Sequence, residues 1–211
     1  MTWRGVSRAG VTRESATALS LHTARGFGLV EFLIALLIFT ASISGVLSVQ
    51  LAAKRATFEA HQYAIANTLA ADILTKIAAN PEQVEIYVAA VAGDAEEPLP
   101  VPEVDCSASA CSPEQLAAYD LWRWEAALFG ANATSAGAPA GGLVAPRACF
   151  RRNGKLLTLG LSWRGVSPSD EAPGLGCGAL VAGLYDAADG EPGNNRLRRQ
   201  LELSILLAGS P

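Results

Sequence analysis

One carboxylate lies where a charge is costly. The stretch ARGFGLVEFLIALLIF, residues 24–39, carries Glu31 five residues into an apolar run. An ionised side chain costs about 2.5–3.5 kcal/mol at the centre of a membrane on insertion scales, and less near the interface. A carboxylate in such a run needs a polar partner, so Glu31 is the first candidate for a specific contact.

Thiol chemistry is the second possibility. The sequence contains four cysteines: Cys106, Cys111, Cys149 and Cys177. An even number in an exported chain predicts two disulfides, and four cysteines allow three connectivities. We favour the bonds Cys106–Cys111 and Cys149–Cys177, because the first pair closes a short loop.

The pattern does not predict a metal site, a cofactor or an enzyme. Zinc would need paired CxxC spacings or nearby histidines, but the two histidines are His22 and His61, far from the cysteines. No GxxxxGK[ST], GxSxG or HExxH motif is present, and the part of the chain after residue 80 has no histidine.

Two basic clusters are candidates for nucleic-acid binding. We interpret them instead as solvated turns or guards of an edge strand. The first cluster is Arg147, Arg151, Arg152 and Lys155, and the second is Arg196, Arg198 and Arg199.

The apolar run is long enough to cross a membrane. Residues 32–49 are 18 residues without a charge, which is about the minimum length of a spanning helix, and flanking residues extend the segment to 27–53. A secretory signal peptide has a shorter apolar region, of about 7–15 residues. A soluble core helix would show a polar stripe, which is missing here.

The distribution of charged residues predicts the orientation of the apolar segment in the membrane. Residues 1–26 contain four arginines and one glutamate, so the N-terminus is expected on the cytoplasmic side, although Lys54 and Arg55 after the span weaken this inference. Without residues 1–26 the formal charge falls from −4 to −7. An acidic exported part argues against nucleic-acid binding through a broad basic face.

Residues 54–79 predict an amphipathic continuation of the helix, because they contain no Pro or Gly. An apolar stripe is formed by Phe58, Ile65, Leu69, Ile73 and Ile77. The polar residues expected on the other side are Glu59, Gln62, Asn67, Asp72 and Lys76.

The remaining residues, 80–211, predict a small head of mixed structure. Asn80 and Pro81 end the long helix, residues 82–91 suit a short helix, and the acidic, proline-rich residues 93–105 suit a loop. Residues 111–130 predict an amphipathic helix with Ser112 as N-cap, Pro113 at the first position and Gln115 completing a capping box. Its tryptophans, Trp122 and Trp124, are interpreted as core rather than as a ligand platform.

Strands follow the second helix. Asn153–Gly154 predicts a hairpin turn, and alternation in residues 157–163 and 201–207 predicts antiparallel strands separated by long loops. The chain is therefore expected to be α+β, with a long N-terminal helix and a small antiparallel sheet.

The segment Arg25-Gly26-Phe27-Gly28-Leu29-Val30-Glu31, followed by an apolar helix, resembles the processing site of type IV prepilins. The resemblance implies cleavage by a prepilin peptidase between Gly26 and Phe27 and N-methylation of Phe27. It also implies that Glu31 is an assembly contact. Gly28 departs from the family, which often has Thr or Ser there, and the 26-residue leader is long. The implied fold is type IV pilin-like, with a long helix packed on a small sheet.

Three further segments are similar to the V-type minor pilins (PilV): KIAANPEQVEIY, CSPEQLAAYDLWRWEAAL and LTLGLSWRG. Residues 165–211 resemble them only in a cysteine and a final strand. The resemblance implies a non-catalytic pilus subunit that serves twitching motility, adhesion or DNA uptake. Implied partners are other minor and major pilins and the inner-membrane assembly platform. The subunit would be a single-pass inner-membrane protein before assembly and part of the pilus afterwards.

Two alternatives remain open. A minor pseudopilin of a type II secretion system would have the same leader and helix, and gene neighbours would separate the two. A single-span anchored periplasmic enzyme or sensor is the alternative from another class, and it would keep residues 1–26.

Overall fold

The computed structural model describes residues 26, 28–131, 133–135, 137–139, 141–170, 174–188 and 190–208. Phe27 and residues 1–25 of the predicted leader lie outside this set. By its internal contacts the chain divides into two compact units, one ending at Leu47 and the other beginning at Ser48.

Along the chain, three helical segments precede the first strand, and the last helix separates that strand from the other five. The helices are α1 (Leu29–Ala79), a 3-10 turn (Pro81–Gln83), α2 (Val84–Ala89) and α3 (Pro113–Leu128). The strands are β1 (Val91–Ala92), β2 (Thr134–Ser135), β3 (Ala138–Pro139), β4 (Arg147–Asn153), β5 (Leu156–Arg164) and β6 (Arg198–Leu206). The expected short helix over 82–91 is thus a 3-10 turn followed by α2, and β1, β2 and β3 were not predicted.

A four-stranded antiparallel sheet has the order β1-β4-β5-β6, and β2 pairs with β3 in a separate two-stranded sheet. β5 and β6 pair without a bulge from Leu156↔Leu206 to Arg164↔Arg198. The α+β architecture expected from the sequence, a long N-terminal helix with a small antiparallel sheet, is confirmed.

The second half of α1 packs on the head, but its buried stripe is shifted from the predicted one. The buried residues are Gln62, Ala66, Ala70, Ile73, Leu74 and Ile77, while Phe58, Ile65 and Leu69 are half-buried. Two alanines at the centre of the stripe have no exposed surface. Small side chains there let neighbouring elements approach the helix axis closely, so the larger apolar residues flank the contact instead of filling it.

The predicted start of α3 is confirmed. Ser112 Oγ accepts from the Gln115 N–H at 3.3 Å, and the Gln115 side chain accepts from the Ser112 N–H at 2.9 Å. Pro113 occupies the first helical position, where the absent N–H costs nothing. Trp124 lies in the core as expected, whereas Trp122 is only half-buried.

The core lies between the helices and one face of the sheet. It contains residues of α1, α2 and α3 on one side and alternate residues of β4 and β5 on the other. The four core residues of β5 have no exposed surface: Leu157, Leu159, Leu161 and Trp163. This is the alternation expected from the sequence.

The β4–β5 hairpin is confirmed, but its turn is one residue later than predicted. Asn153 pairs with Leu156, so the two turn residues are Gly154 and Lys155. Gly154 has φ 59°, a value that glycine adopts without steric cost, and glycine at the first turn position suits a two-residue hairpin.

Candidate assembly site

Of the two residues predicted to flank the cleavage site, Gly26 is described and precedes α1. Gly26 is exposed and precedes the helix, whose first hydrogen bond joins the Phe32 N–H to the Gly28 carbonyl oxygen at 3.1 Å. Phe27, expected to be the methylated N-terminus, lies outside the described residues. Cleavage after Gly26 therefore stays a prediction.

Glu31 lies in the first turn of α1 and is exposed. A carboxylate in the first turn is favoured by the partial positive charge of the helix N-terminus. From the residues that the structure describes, no hydrogen bond or ion pair reaches its carboxylate. The position is compatible with a contact to another molecule, which stays a prediction.

Residues 29–57 of α1 are all exposed, and residues 32–49 within them carry no charge. Leu29, Leu37 and Val49 are each about 70% exposed, at 75%, 69% and 70%. The most apolar 18-residue window of α1 has a mean hydropathy of 2.4 and no buried residue. By length and composition this helix could cross a membrane.

The few hydroxyl groups in this apolar segment are satisfied within the helix. Thr40 donates to the Leu37 carbonyl at 2.9 Å, and Ser42 donates to the Ile38 carbonyl at 2.8 Å. Polar groups in lipid must be paired internally because no water is available. The segment is therefore suited to an apolar solvent without any partner for its hydroxyls.

Polar residues of α1 fix the helix to the head, which corrects one prediction. Gln62 donates its amide N–H to the Gly142 carbonyl and accepts from the Val144 N–H, both at 3.2 Å. Glu59 accepts from the Val166 N–H at 2.8 Å and pairs with Arg199 at 3.2 Å. Glu59 and Gln62 were predicted on the solvent side of α1, and that prediction is wrong.

The spacing of the apolar residues already indicates that Gln62 is buried. Gln62 follows Phe58 by four residues and precedes Ile65 by three, so it lies on the apolar stripe itself. A polar side chain on a buried stripe has to find a partner, which it does here in the backbone of the loop before β4.

The two basic clusters are only partly solvated, so the earlier interpretation was wrong for three arginines. Arg147, Arg198 and Arg199 are 9%, 7% and 8% exposed. Arg151 and Lys155, at the hairpin tip, are exposed as expected. The position in the strand explains this difference in exposure. Arg147 is the first residue of β4, Arg198 and Arg199 are the first two of β6, and the segment between β5 and β6 contacts all three.

The acidic loop before α3 is held by buried charge. Glu125 is 3% exposed and accepts from the Gly93 N–H at 2.8 Å and the Leu99 N–H at 2.6 Å. Arg147 pairs with Asp94 at 3.1 Å at the start of the same loop. The signal for Glu125 was its position four residues after Leu121 on the apolar stripe of α3.

Further along this loop the hydroxyl and the N–H of Ser107 donate to Asp105, at 2.6 and 2.9 Å. These bonds hold the pKa of the Asp105 carboxyl below its usual value. The carboxylate thus closes the turn that leads into the first disulfide.

Two disulfides are formed, Cys106–Cys111 and Cys149–Cys177. They are the two pairs favoured in the sequence analysis. The first closes a short loop before α3, and the second ties the long segment between β5 and β6 to β4. Within the described residues, no group of three or more His, Cys, Asp and Glu side chains is placed to hold a metal ion.

A comparison with protein families gives one match. The model of the Tt1218-like family, described as type IV pilin Tt1218, matches residues 48–122. No curated protein and no solved structure matches the chain.

The matched segment runs from within α1 into α3, so it includes the packed half of the long helix and most of the second amphipathic helix. The long N-terminal helix and the small antiparallel sheet are consistent with the type IV pilin fold. Residues 48–122 are therefore similar to a type IV pilin, which supports a pilin-like structural subunit with an apolar N-terminal helix.

Proposed function

We propose that this chain is a minor pilin, a structural subunit that is incorporated in a type IV pilus or primes its assembly. The observation that carries the proposal is the segment Gly26–Glu31 joined to an apolar helix with no buried residue before Gln62. The pilin match to residues 48–122 supports the same assignment from a separate part of the chain.

The proposal divides the chain into four parts. Residues 1–26 are a leader that is removed, 27–53 the membrane and assembly helix, 54–79 the stem and 80–211 the head. Before assembly the subunit crosses the inner membrane once, with its N-terminus cytoplasmic and its head periplasmic. After assembly it is part of the pilus at the cell surface.

The V-type minor pilin is the subtype that we favour. Its supporting residues are KIAANPEQVEIY at the end of α1 and CSPEQLAAYDLWRWEAAL in α3, and most of both lies within the matched segment. The partners that follow are a prepilin peptidase, other minor and major pilins and the assembly platform. Twitching motility, adhesion or DNA uptake would be the outcome.

The chemistry proposed for Glu31 depends on processing. Cleavage after Gly26 gives Phe27 a free α-amine with a reference pKa of about 7.7–8.0, so it is mostly cationic at pH 7. In an apolar bundle of helices, Glu31 of one subunit would pair with the Phe27 amine of a neighbour. A misplaced carboxylate would stay unpaired at high cost, so the pair would set the register of docking.

The mass of the mature N-terminus tests this proposal. We expect a chain that begins with methylated Phe27 in the native host. Gly26→Val should block cleavage and leave a protein about 26 residues longer, the length of the proposed leader. Gly28→Ala is a matched control, because a Cβ at either glycine has nothing within 4 Å.

Processing in the control but not in Gly26→Val would support the cleavage site. A mature chain that retains Met1–Gly26 would contradict the proposal and favour an anchored periplasmic protein of another class.

A further inference from the structure

The four-stranded sheet of the head ends in β6, which pairs with β5 alone and has its other edge free. The Leu207 N–H donates to the Lys155 carbonyl at 2.9 Å, and the Gly165 N–H donates to the Leu197 carbonyl at 2.7 Å. These two bonds give the phase of the ladder. Backbone groups alternate in direction along an antiparallel strand, so odd-numbered residues of β6 bond to β5 and even-numbered residues point away from it.

Three of the outward-pointing residues have no backbone partner. Within the part of the chain that the structure describes, no hydrogen bond joins the N–H or carbonyl groups of Glu202, Ser204 and Leu206 to another element. All three residues are exposed. They present alternating donors and acceptors at the spacing that another strand would match.

This edge lacks the devices that usually keep an exposed strand from pairing, such as lysine, proline or a bulge. β6 contains no lysine or proline, and it pairs with β5 without a bulge. Its two arginines, Arg198 and Arg199, are buried at the start of the strand. The opposite edge of the sheet is better protected, because β1 covers the start of β4 and Glu85 of α2 forms an ion pair with Arg152.

A groove of about 470 Å³ lies between α1 and β6. Four consecutive residues of β6, 203–206, line it. Neighbouring side chains of a strand point to opposite faces, so four in a row line one groove where the backbone edge itself forms the wall. The other wall is an exposed row on α1, Ala71, Thr75 and Ala78, with the buried Leu74 beside it. The small side chains of this row leave space for larger apolar ones.

The chemistry of the groove specifies an extended protein segment. An antiparallel strand could bond to both backbone groups of Ser204. Leu203 and Ile205 face the core, so the partner's side chains opposite them would point toward α1 and should be branched and apolar. The partner's side chain opposite Glu202 would lie on the solvent face. A basic residue is favoured there, because Glu202 is the only charge in residues 200–206.

A second copy of this chain fits the edge less well. Antiparallel pairing of two β6 strands centred on Ser204 would place Glu202 opposite Leu206, without a counter-charge. The twofold axis would also run the packed halves of the two α1 helices in opposite directions. Copies anchored in one membrane have parallel helices, so this preference for another protein rests on the proposed single-pass orientation.

We propose that the edge of β6 from Glu202 to Leu206 docks an extended strand of another protein. The strand carries branched apolar residues opposite Leu203 and Ile205 and a lysine or arginine opposite Glu202. It adds a fifth strand to the four-stranded sheet and fills the groove against α1. Backbone hydrogen bonds supply affinity, and the side chains at alternate positions supply specificity.

The test uses a synthetic peptide, TVVTVKT, capped at both ends. Its second to sixth residues lie opposite Leu206 to Glu202 in the proposed antiparallel register. The peptide is titrated into the isotope-labelled full-length chain in detergent at pH 7, and amide exchange is measured by NMR. At about ten times the dissociation constant, exchange of the Ser204 and Leu206 amides should slow by roughly tenfold, because only the free fraction exchanges. The Leu203 and Ile205 amides bond to β5 and should be slow throughout.

N-methylation of the peptide separates strand pairing from general apolar binding. The N–H of the threonine opposite Ser204 points to β6, whereas the N–H of the valine opposite Ile205 points away from it. Methylation of the threonine nitrogen should abolish binding, and methylation of that valine nitrogen should preserve it. Equal effects of the two methyl groups would contradict pairing in this register.

Ser204→Pro removes the central N–H of the edge, which β5 does not use, so the chain should still fold. Peptide binding should weaken by at least about tenfold, because a backbone bond is lost and the ring obstructs the approach. Ser204→Ala is the matched control. Both variants lose the contact of Ser204 Oγ with Thr158 Oγ1 at 2.8 Å, but alanine keeps the N–H and should bind as the parent does.

A second pair of variants leaves the strand unchanged. Ala78→Lys places a long side chain over the groove and should weaken peptide binding. Ala79→Lys is its control, because Ala79 is exposed and does not line the groove. Tryptophan fluorescence checks the fold of every variant, since Trp124 and Trp163 are in the core.

Three results would overturn the proposal. No change at β6 up to about 5 mM peptide would show that the edge does not accept a strand. Equal binding by Ser204→Pro and Ser204→Ala would show that the groove binds apolar groups without strand pairing. A dimer of the parent that Ser204→Pro disperses would assign the edge to a second copy. The assay uses purified protein, so a failure of cleavage at Gly26 would leave these outcomes unchanged.

Discussion

At the scale of single residues, Glu125 is the buried carboxylate on which the acidic loop depends. It accepts two backbone N–H bonds, from Gly93 and Leu99. Glu125→Ala leaves both donors without an acceptor, so we expect the free energy of unfolding to fall by about 2–4 kcal/mol. Denaturation followed by tryptophan fluorescence measures the change.

Glu97→Ala in the same loop is the control for Glu125, because its side chain is exposed and should change stability by less than about 0.5 kcal/mol. Equal effects of the two substitutions would contradict the role given to Glu125.

The hydrogen bonds that the Asp186 carboxylate accepts should depend on pH. The N–H groups of Gly193 and Asn195 donate to its carboxylate at 2.8 and 3.2 Å and lower its pKa. A lowered pKa means that the stabilisation is complete above the unfolded pKa of about 3.9 and is lost as the pH falls through the folded value. The protection of the Gly193 and Asn195 amides, relative to the intrinsic exchange rate at each pH, should therefore fall only below about pH 4.

Asp186→Asn keeps only one oxygen acceptor, and the two N–H groups bond to different carboxylate oxygens, so at least one of the two amides should lose protection at neutral pH and the acid dependence should disappear. Asp170→Asn is the control, since Asp170 is almost fully exposed and pairs with Arg196 only at 3.9 Å. Unchanged amide protection in Asp186→Asn would show that the turn is held by other bonds.

At the scale of elements, the two disulfides should differ in their contribution to stability. Cys149–Cys177 joins residues 28 apart, and Cys106–Cys111 joins residues 5 apart. The longer loop loses more freedom in the unfolded chain on closure. Replacing Cys149 and Cys177 by serine should thus cost roughly 1.5 kcal/mol more than replacing the first pair. Denaturation of the two double variants measures the difference, and a larger cost for the first pair would contradict the ranking.

Periodicity was sufficient to predict the elements that bury large apolar residues. The long helix, the capping box of α3 and the alternation in β5 all follow from local spacing. Periodicity failed where small or polar residues occupy the buried face. Ala66 and Gln62 carry the centre of the α1 contact, and neither has the hydrophobicity that a pattern search detects.

Polar residues with a specific role also differ in whether the sequence alone reveals them. Glu31 is conspicuous in the sequence because it is a charge in an apolar run. Arg198 and Arg199 are not conspicuous, because their burial depends on segments that are distant in the sequence. The charge pattern does not distinguish Arg198 from Arg199, whereas the alternation along β6 places them on opposite faces of the sheet.

At the scale of the whole molecule, assembly should depend on Glu31 without any effect on folding. Glu31→Ala removes an exposed side chain, so processing and membrane insertion should be normal while incorporation into pili is lost. Immunoblots of sheared pili and of membranes measure the two pools. Glu31→Gln tests whether the charge is required, and normal incorporation of the alanine variant would contradict the pairing with Phe27.

The bond between Glu59 and Arg199 joins residues 140 apart in the sequence. A ribosome that adds about 5–20 residues per second needs roughly 7–28 s to synthesise that interval. During that time Glu59 has no counter-ion, and Trp163 on β5 lacks its neighbouring strand β6. The sheet of the head can therefore be completed only after β6 has been synthesised.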